Sequence, residues 1–366
     1  MNVLFIGIRE DEQDITSGPK KVANTLFNTL RKQDKNVYFY GLPWEDGNKG
    51  KSSDYEIANE YEVEGSMRHI AKFIREKNIN VVYLARYYSI LALFLCSLKL
   101  IYRFKLVYTV HGIIKKEKEI NKSFKTYSIL FEKMILRYSD KIVVITEDSK
   151  KELIKSYPSL CEKKITVINN GVSILPLSEK IDIKAVYNLR KQDKIIFTIG
   201  TRKIKNIETV IDNFINSNLY NSCVLLIAGE NDTEYARYLI SKYIGYNKVV
   251  FTGNMNPNIL NNAYSQCDIF VQVSKFETFG MSIVEALLHK KNVVISSKLP
   301  ISQCFSDEEV CFYNEEKDEL SNKMLYCLDK LPYENEKGFQ RAKDLFDWKN
   351  ISQQYFEAFE STYYAK

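Results

Sequence analysis

Residues 267–295 read CDIFVQVSKFETFGMSIVEALLHKKNVVI, and this stretch decides the fold. The apolar, β-branched run 269–274 predicts a buried strand, which ends in a short glycine-containing loop. A helix is predicted to begin near Gly280, and 292–297 predicts the next strand. A strand, a short loop, a helix and a second strand in this order are typical of a parallel sheet with crossover helices.

The loop before the helix carries groups suited to a polar, anionic ligand. The free N–H groups at a helix start near Gly280-Met281 favour an anion, and glycine allows its close approach. Glu277 lies in the loop, and Glu285 follows with seven residues between them, deeper in the helix. Carboxylates accept hydrogen bonds from sugar hydroxyl groups. On spacing alone, two solvated glutamates beside a helix start are the better explanation of the pair.

The same alternation of strands and amphipathic helices extends in both directions from this stretch. It predicts six strands in the first half and five in the second, at 3–8, 37–42, 81–86, 106–112, 141–146, 165–171, 195–200, 224–229, 249–253, 269–274 and 292–297. The restart after the first six predicts two doubly wound α/β domains. We place them at 1–178 and 179–347, with a closing helix at 348–366.

Composition narrows the functional classes only slightly. The 366 residues carry a net charge of +6, which fits an anionic small ligand, a membrane surface or nucleic acid. Seven scattered cysteines without a CxxC pair argue against a disulfide framework and a zinc site. The apolar run 89–100 is too short to span a bilayer. With no signal peptide evident, we expect a cytoplasmic protein.

The opening stretch resembles the retaining glycosyltransferases of family 4, which have the GT-B fold. Their fingerprint of a strand followed by Ser, Glu, Phe-Gly and Glu-Ala is matched here by Ser274, Glu277, Phe279, Gly280, Glu285 and Ala286.

The resemblance covers nearly the whole chain. Ser17-Gly18-Pro19 is similar to the N-terminal glycine-rich loop of the family, although one glycine stands where two are usual. His111 matches the strand-end histidine that contacts the donor sugar. The segment 197–214 is similar to the entry of the second domain, where an Arg and a Lys bind the diphosphate. Its loop is short, so Arg202 and Lys203 compete beside the better-placed Lys205.

By this resemblance, the chain is a GT-B protein with two Rossmann-like domains facing a cleft and a C-terminal helix crossing back to the first. It implies retaining, metal-independent transfer of a hexose from a nucleotide sugar to a glycan or lipid-linked acceptor in surface polysaccharide biosynthesis. UDP-sugar is the favoured donor, and no cofactor is expected. The implied catalytic residues are His111 and Glu277, and the implied donor-binding residues are Gly18, Arg202, Lys205, Phe279, Gly280, Met281 and Glu285.

Other interpretations remain open at this stage. A nucleotide-sugar epimerase shares the fold, and a non-catalytic glycan- or nucleic-acid-binding module would also use a basic surface. The lysines form no stripe interleaved with aromatics, so we expect no nucleic-acid partner. The lysine-rich stretch 115–125 beside the apolar run 89–100 predicts a peripheral contact with an anionic membrane at its inner face. His69 and His289 are predicted to lie on solvated helix faces.

Overall fold

The computed structural model describes residues 1–9, 18–42, 56–86, 89–121, 126–172, 179–315, 319–330 and 334–365. Backbone contacts divide the chain into two compact units. The first combines Met1–Gly171 with Trp348–Lys366, and the second is Val172–Asp347. Backbone contacts thus divide the units between Gly171 and Val172, and residue 178, where we placed the boundary from the sequence, lies outside the described residues.

The first unit contains an eight-stranded sheet in the order β3-β4-β2-β1-β5-β6-β7-β8. Its strands are β1 (Val3–Gly7), β2 (Val37–Gly41), β3 (Glu56–Asn59), β4 (Glu62–Glu64), β5 (Val81–Leu84), β6 (Lys105–Val110), β7 (Lys141–Val144) and β8 (Ile165–Val167). All neighbouring strands are parallel except β3 and β4, which are antiparallel.

The helices of this unit cover both faces of its sheet. In the part of the chain before Gly171 they are α1 (Gly18–Lys32), α2 (Ile70–Glu76), α3 (Ser89–Ile101), α4 (Ile114–Asn121), α5 (Thr126–Tyr138) and α6 (Glu147–Ser156). Alternate residues of β1 enter different cores: Leu4 and Ile6 pack with α2, α3 and α5, while Val3 and Phe5 pack with α1. This period-two alternation explains why the strands are apolar throughout: both faces are buried.

Two short strands at one end of the sheet, β3 at the edge and β4 next to it, are missing from the sequence-based prediction of six strands. Of β4, only Val63 is buried, and Glu62 and Glu64 flank it. A short edge strand needs one apolar side chain rather than a continuous apolar run, so periodicity does not detect it.

The second unit contains a six-stranded parallel sheet in the order β11-β10-β9-β12-β13-β14. Its strands are β9 (Lys194–Ile199), β10 (Cys223–Ala228), β11 (Val249–Gly253), β12 (Ile269–Gln272), β13 (Asn292–Ser296) and β14 (Cys311–Tyr313). The five predicted strands are all present. The sixth, β14, has three residues and lies at the sheet edge, which again leaves little pattern in the sequence.

The helices of the second unit are α7 (Ile183–Val186), α8 (Ile207–Ile215), α9 (Leu219–Ser222), α10 (Glu234–Lys242), α11 (Pro257–Gln266), α12 (Met281–Leu288), α13 (Leu320–Asp329) and α14 (Glu336–Phe346). The strand order reverses between the two central strands, β9 and β12. From β9 the chain adds β10 and β11 on one side of the sheet, and from β12 it adds β13 and β14 on the other. In doubly wound sheets, ligands bind at the carboxyl ends of the strands at such a switch point.

The terminal helix α15 (Trp348–Tyr364) belongs to the first unit. Ile351, Tyr355 and Phe359 join the core that contains α1, and Gln33 Nε2 donates a hydrogen bond to Ser352 Oγ at 3.1 Å. The helix thus returns to the unit that contains the N-terminus, as the resemblance implied.

Gly171 marks the place where α15 begins against the first unit. A Cβ atom at Gly171 would lie 2.3 Å from Trp348 Cδ2, a separation that packed atoms do not tolerate. We expect Gly171→Ala to lower the free energy of unfolding by about 3 kcal/mol through this overpacking. Urea denaturation checks it, with Gly245→Ala as control because no atom lies within 4 Å of that Cβ position. Equal stability of the two variants would contradict the prediction.

Candidate active site

Two loops meet at the switch point of the second unit, one after β9 and one after β12. The amide of Lys275 donates to the carbonyl of Ile204 at 2.9 Å, and Asn206 Nδ2 donates to the carbonyl of Val273 at 3.3 Å. Asn206 adopts a left-handed conformation with φ 58° and begins α8. These bonds hold the two loops side by side, so the groups that each carries are brought together.

The first group is an ion pair between Lys205 Nζ and Glu277 Oε1, whose side chains are 13% and 14% exposed. Ser274 Oγ donates a second hydrogen bond to Glu277 Oε1 at 3.0 Å. The aliphatic part of Lys205 crosses Gly200, where a Cβ would lie 2.8 Å from Lys205 Cγ. Gly200 also has φ +100°, so glycine is needed there for both conformation and space.

A series of three side-chain hydrogen bonds leads from the start of α12 to Glu277. Ser282 Oγ donates to Gln272 Oε1 at 3.4 Å, Gln272 Nε2 donates to Ser274 Oγ at 2.6 Å, and Ser274 donates onward to Glu277. Gln272 and Ser274 are buried. Because each hydroxyl or amide donates toward the carboxylate, this chain of hydrogen bonds holds Glu277 in one fixed position. We missed Gln272 in the sequence, although a glutamine in an otherwise apolar strand is its signal.

The start of α12 is open to a ligand. Gly280 precedes it with φ +104°, and within the described residues no side-chain cap is found at its first turn, which begins at Met281. A Cβ at Gly280 would lie 3.1 Å from Ile283 Cδ1. The ring of Phe279 is buried and packs edge-on against Phe346 at 5.3 Å, so a ligand contact at Phe279 falls to its backbone. Its role as a donor-binding residue stays a prediction.

Glu285 is anchored inside the unit by Tyr264, whose Oη donates to Glu285 Oε2 at 2.9 Å. The Tyr264 ring is buried beside Phe197 and Phe270 and stacks on His289 at 5.3 Å. Burial, followed by the charge of Glu285, raises the pKa of Tyr264 well above its usual value, so Tyr264 stays a hydrogen-bond donor. We missed this tyrosine, since nothing in its local pattern distinguishes it from a core residue.

The prediction for His289 is wrong: it does not lie on a solvated face. Its Nδ1 lies 2.8 Å from the carbonyl oxygen of Glu285, and its Nε2 lies 2.5 Å from Asn261 Oδ1. Burial lowers its pKa. Lys290 follows with φ 57°, the left-handed position that glycine usually takes after a helix. The sequence His-Lys-Lys therefore closes α12 and supports the ring of Tyr264.

Arg202 and Lys203 are exposed, at the start of the short 3-10 turn Lys203–Lys205. In the residues that the structure describes, neither side chain takes part in an ion pair or a hydrogen bond, whereas Lys205 contacts Glu277. Lys205 therefore differs from the other two cations in being ion-paired. Arg202 and Lys203 are both exposed and remain equal candidates for a phosphate contact.

Two predicted residues belong to the first unit. His111 follows β6, and its Nε2 is buried with no hydrogen-bond partner within the described ranges. Burial lowers the pKa of His111 to about 4, so the ring is neutral at pH 7. An orphaned buried nitrogen is uncommon, and the role of His111 as a contact of the donor sugar stays a prediction. Gly18 is the first residue of α1, and the rest of its loop, including Ser17, lies outside the described residues.

Among the described residues, no helix is both long enough and apolar enough to cross a membrane. Over the same ranges, no group of three or more His, Cys, Asp or Glu side chains is arranged to hold a metal ion.

Comparison with known proteins identifies the family. The model of "Glycosyl transferases group 1" matches residues 179–341, and that of "Glycosyltransferase Family 4" matches residues 22–174. A probable sucrose-phosphate synthase of Thermosipho melanesiensis is 25% identical over 69% of this chain and 64% of its own length. An uncharacterised glycosyltransferase of Methanocaldococcus jannaschii is 30% identical over 44% of this chain and 43% of its own. The chain thus spans about half to two thirds of the length of these relatives.

Solved structures agree on the fold. Sucrose-phosphate synthase of Thermosynechococcus elongatus superposes with a TM-score of 0.77 at 16% identity, covering 100% of both chains. Anabaena HepE in complex with UDP superposes with a TM-score of 0.73 at 15% identity, covering 99% of this chain and 100% of that one. The fold class predicted from the sequence, GT-B with two doubly wound α/β units, is therefore confirmed. With both units matched by glycosyltransferase families, the chain belongs to the family 4 type of glycosyltransferases.

Proposed function

We propose that this glycosyltransferase moves a hexose-type sugar from a nucleoside diphosphate sugar to a hydroxyl of a glycan or lipid-linked acceptor, with retention of configuration and without a metal ion. A role in surface polysaccharide biosynthesis at the cytoplasmic side of the membrane belongs to the same proposal. The observation that carries it is the polar chain through Gln272 and Ser274 that holds Glu277 beside Lys205 at the switch point.

The donor diphosphate fits the cationic part of this site. The uncapped N-terminus of α12 offers free N–H groups, and Lys205 supplies a positive charge on the neighbouring loop. Arg202 and Lys203 add two exposed charges on the same turn. Structures of Anabaena HepE contain UDP and UDP-glucose, which supports a uridine nucleotide as first choice.

The two glutamates take different parts of the donor. Glu285 lies one turn inside α12, where Tyr264 donates to its Oε2, and we assign it to the ribose because a carboxylate accepts hydrogen bonds from a pair of hydroxyl groups. Glu277 stands before the helix start and is suited to a hydroxyl of the transferred sugar. Neutral His111 offers its unpartnered nitrogen to a substrate hydroxyl.

In the reaction, the bond between the anomeric carbon and the diphosphate oxygen breaks, and the acceptor oxygen bonds to that carbon on the same face. The acceptor proton passes to the departing phosphate oxygen, and the nucleoside diphosphate leaves. Lys205 and the N–H groups of α12 stabilise the negative charge that develops on the leaving group. Glu277 acts by positioning and stays a carboxylate throughout.

Saturation-transfer NMR of the wild type with UDP-, GDP- and ADP-sugars tests the proposal. We expect one nucleotide class to show contacts to base, ribose and sugar protons, and the UDP-sugars to be that class. The same sample with an added acceptor panel should then release the free nucleoside diphosphate. Absence of contact with every nucleotide sugar would overturn the proposal. Reversible change of the sugar without transfer would replace it with epimerisation.

A further inference from the structure

Helix α3 presents an apolar stripe to solvent. Leu100 and Ile101 are 77% and 72% exposed, and Ile90 and Leu93 are exposed on the same side of the helix, since 90, 93, 100 and 101 are spaced by three, seven and one residues. The opposite side of α3 is buried in the core of the first unit. Both sides of α3 are therefore apolar, but within the described residues only the inner side is packed against other side chains.

Helix α5 repeats this arrangement. Leu130 is 65% exposed, and Tyr127 and Tyr138 are exposed on the same stripe, while Ile135 and Leu136 are buried. Like α3, it packs on the sheet face covered by the core that contains Leu84 and Leu106. Since both helices cover the same face of the sheet, their outer stripes face outward from one layer.

The two stripes are adjacent. Helices α3 and α5 pack against each other, and Lys99 Nζ donates to the carbonyl of Tyr138 at 2.7 Å and pairs with Asp140. We call the combined surface the α3–α5 face; it consists of Ile90, Leu93, Leu100, Ile101, Tyr127, Leu130 and Tyr138.

The charges around the α3–α5 face that have no ion-pair partner within the described residues are all positive, whereas Asp140 is paired with Lys99. Arg103, Lys133 and Arg137 are exposed, and over the described ranges none of them is in an ion pair. Helix α3 contains no carboxylate. The one carboxylate of α5, Glu132, is fully buried, where the amide of Ile114 donates to it at 2.9 Å.

A basic cavity of about 380 Å³ borders this face. Lys133 and Arg137 of α5 line one part of it, and Ser159 and Lys164 from the segment after α6 line another. Lys164 Nζ donates to the carbonyl of Ser139 at 3.0 Å, which holds the ammonium group at the cavity. Three cations with a serine hydroxyl form a setting suited to a phosphate group.

We propose that the α3–α5 face and the basic cavity dock the protein on an anionic lipid bilayer, with the apolar stripe in the interfacial layer and a lipid phosphate in the cavity. Aliphatic residues, tyrosines and basic side chains on one surface are the pattern of interfacial binding. A second copy of this chain fits less well, because the face contains no negative charge to match its own cations. The inference deepens the proposed function, since a lipid-linked acceptor lies in the same membrane.

This location differs from the one that the sequence suggested. Residues 122–125 of the lysine-rich stretch 115–125 lie outside the described residues, and Lys116 within it pairs with Glu152 at 3.0 Å. The apolar run 89–100 still contributes to the proposed membrane contact, but the basic residues beside it are those of α5.

Co-sedimentation with vesicles tests the docking surface. The full-length protein should bind vesicles of phosphatidylcholine with added phosphatidylglycerol, and bind pure phosphatidylcholine weakly. We expect the double variant Lys133→Gln/Arg137→Gln to weaken binding to the anionic vesicles by about 30-fold. Leu100→Ser/Ile101→Ser should weaken it by about tenfold or more. The control is Ile244→Ser, which removes an equally exposed apolar side chain in the second unit.

Binding of both double variants equal to that of the wild type, or no binding at low salt, would overturn the proposal. So would a dimer in light scattering that Leu100→Ser/Ile101→Ser converts to a monomer, because the face would then be a contact between copies. Nucleotide-sugar binding by NMR is measured on the same samples. Its persistence with lost vesicle binding separates failure of this surface from failure of the proposed function.

Discussion

Replacing Glu277 with glutamine is expected to lower kcat by about two orders of magnitude, because a misplaced substrate loses that much rate. Glutamine keeps the size of the side chain but replaces the charged acceptor with an amide. Lys205 then loses its partner, and the hydroxyl of Ser274 has a weaker acceptor. The measurement is the release of nucleoside diphosphate from the donor that the wild type binds.

This variant should leave the affinity for the free nucleoside diphosphate unchanged within about twofold, since Glu277 is proposed to hold the sugar rather than the nucleotide. Glu234→Gln, an exposed glutamate in the first turn of α10, is the matched control and should have the kcat of the wild type. A kcat for Glu277→Gln equal to that of the control would contradict the proposed role.

The Glu285→Ala variant is expected to lose nucleotide affinity by about tenfold to 100-fold, the range of one or two hydrogen bonds to a charged group. Isothermal titration with the free nucleoside diphosphate measures this loss without any need for an acceptor. The substitution also leaves the buried Oη of Tyr264 without its acceptor, which destabilises the second unit by about 1–3 kcal/mol.

Tyr264→Phe separates these two effects. In the single variant, Glu285 keeps its charge but loses the hydroxyl that holds it, so we expect a loss of affinity of a few-fold with little change in stability. In the double variant Tyr264→Phe/Glu285→Ala, stability should recover because both partners of the buried bond are gone, while affinity stays low. Recovery of affinity in the double variant would show that Glu285→Ala had acted only through misfolding.

Much of the fold can be predicted because each central strand is buried on both faces. Such strands are continuous apolar runs, and 269–274 and 195–200 are clear examples that the structure contains as β12 and β9. The strands that escaped prediction are short and lie at a sheet edge, as β3 and β14 do, or next to one, as β4 does, where one buried side chain is enough. The period and the apolar content of a strand reflect how much of it is buried, so both signals are weaker in a strand that is only partly buried.

The candidate site divides in the same way. Glu277, Gly280 and Glu285 are close in sequence, and the strand-loop-helix pattern alone places them at one end of a sheet. Tyr264 and Gln272 have the local pattern of ordinary core residues, and only packing shows that each donates toward a carboxylate.

The sequence by itself determined two doubly wound α/β units, the switch-point loop and the family, because local periodicity and a short motif encode them. The tertiary structure decided which distant side chains meet: Lys205 with Glu277, Tyr264 with Glu285, and α3 with α5. It also decided that His289 is half-buried and hydrogen-bonded and that the exposed apolar stripe lies beside the cations of α5. The physical reason is that burial and charge pairing depend on neighbours in space, and a linear pattern specifies only neighbours along the chain.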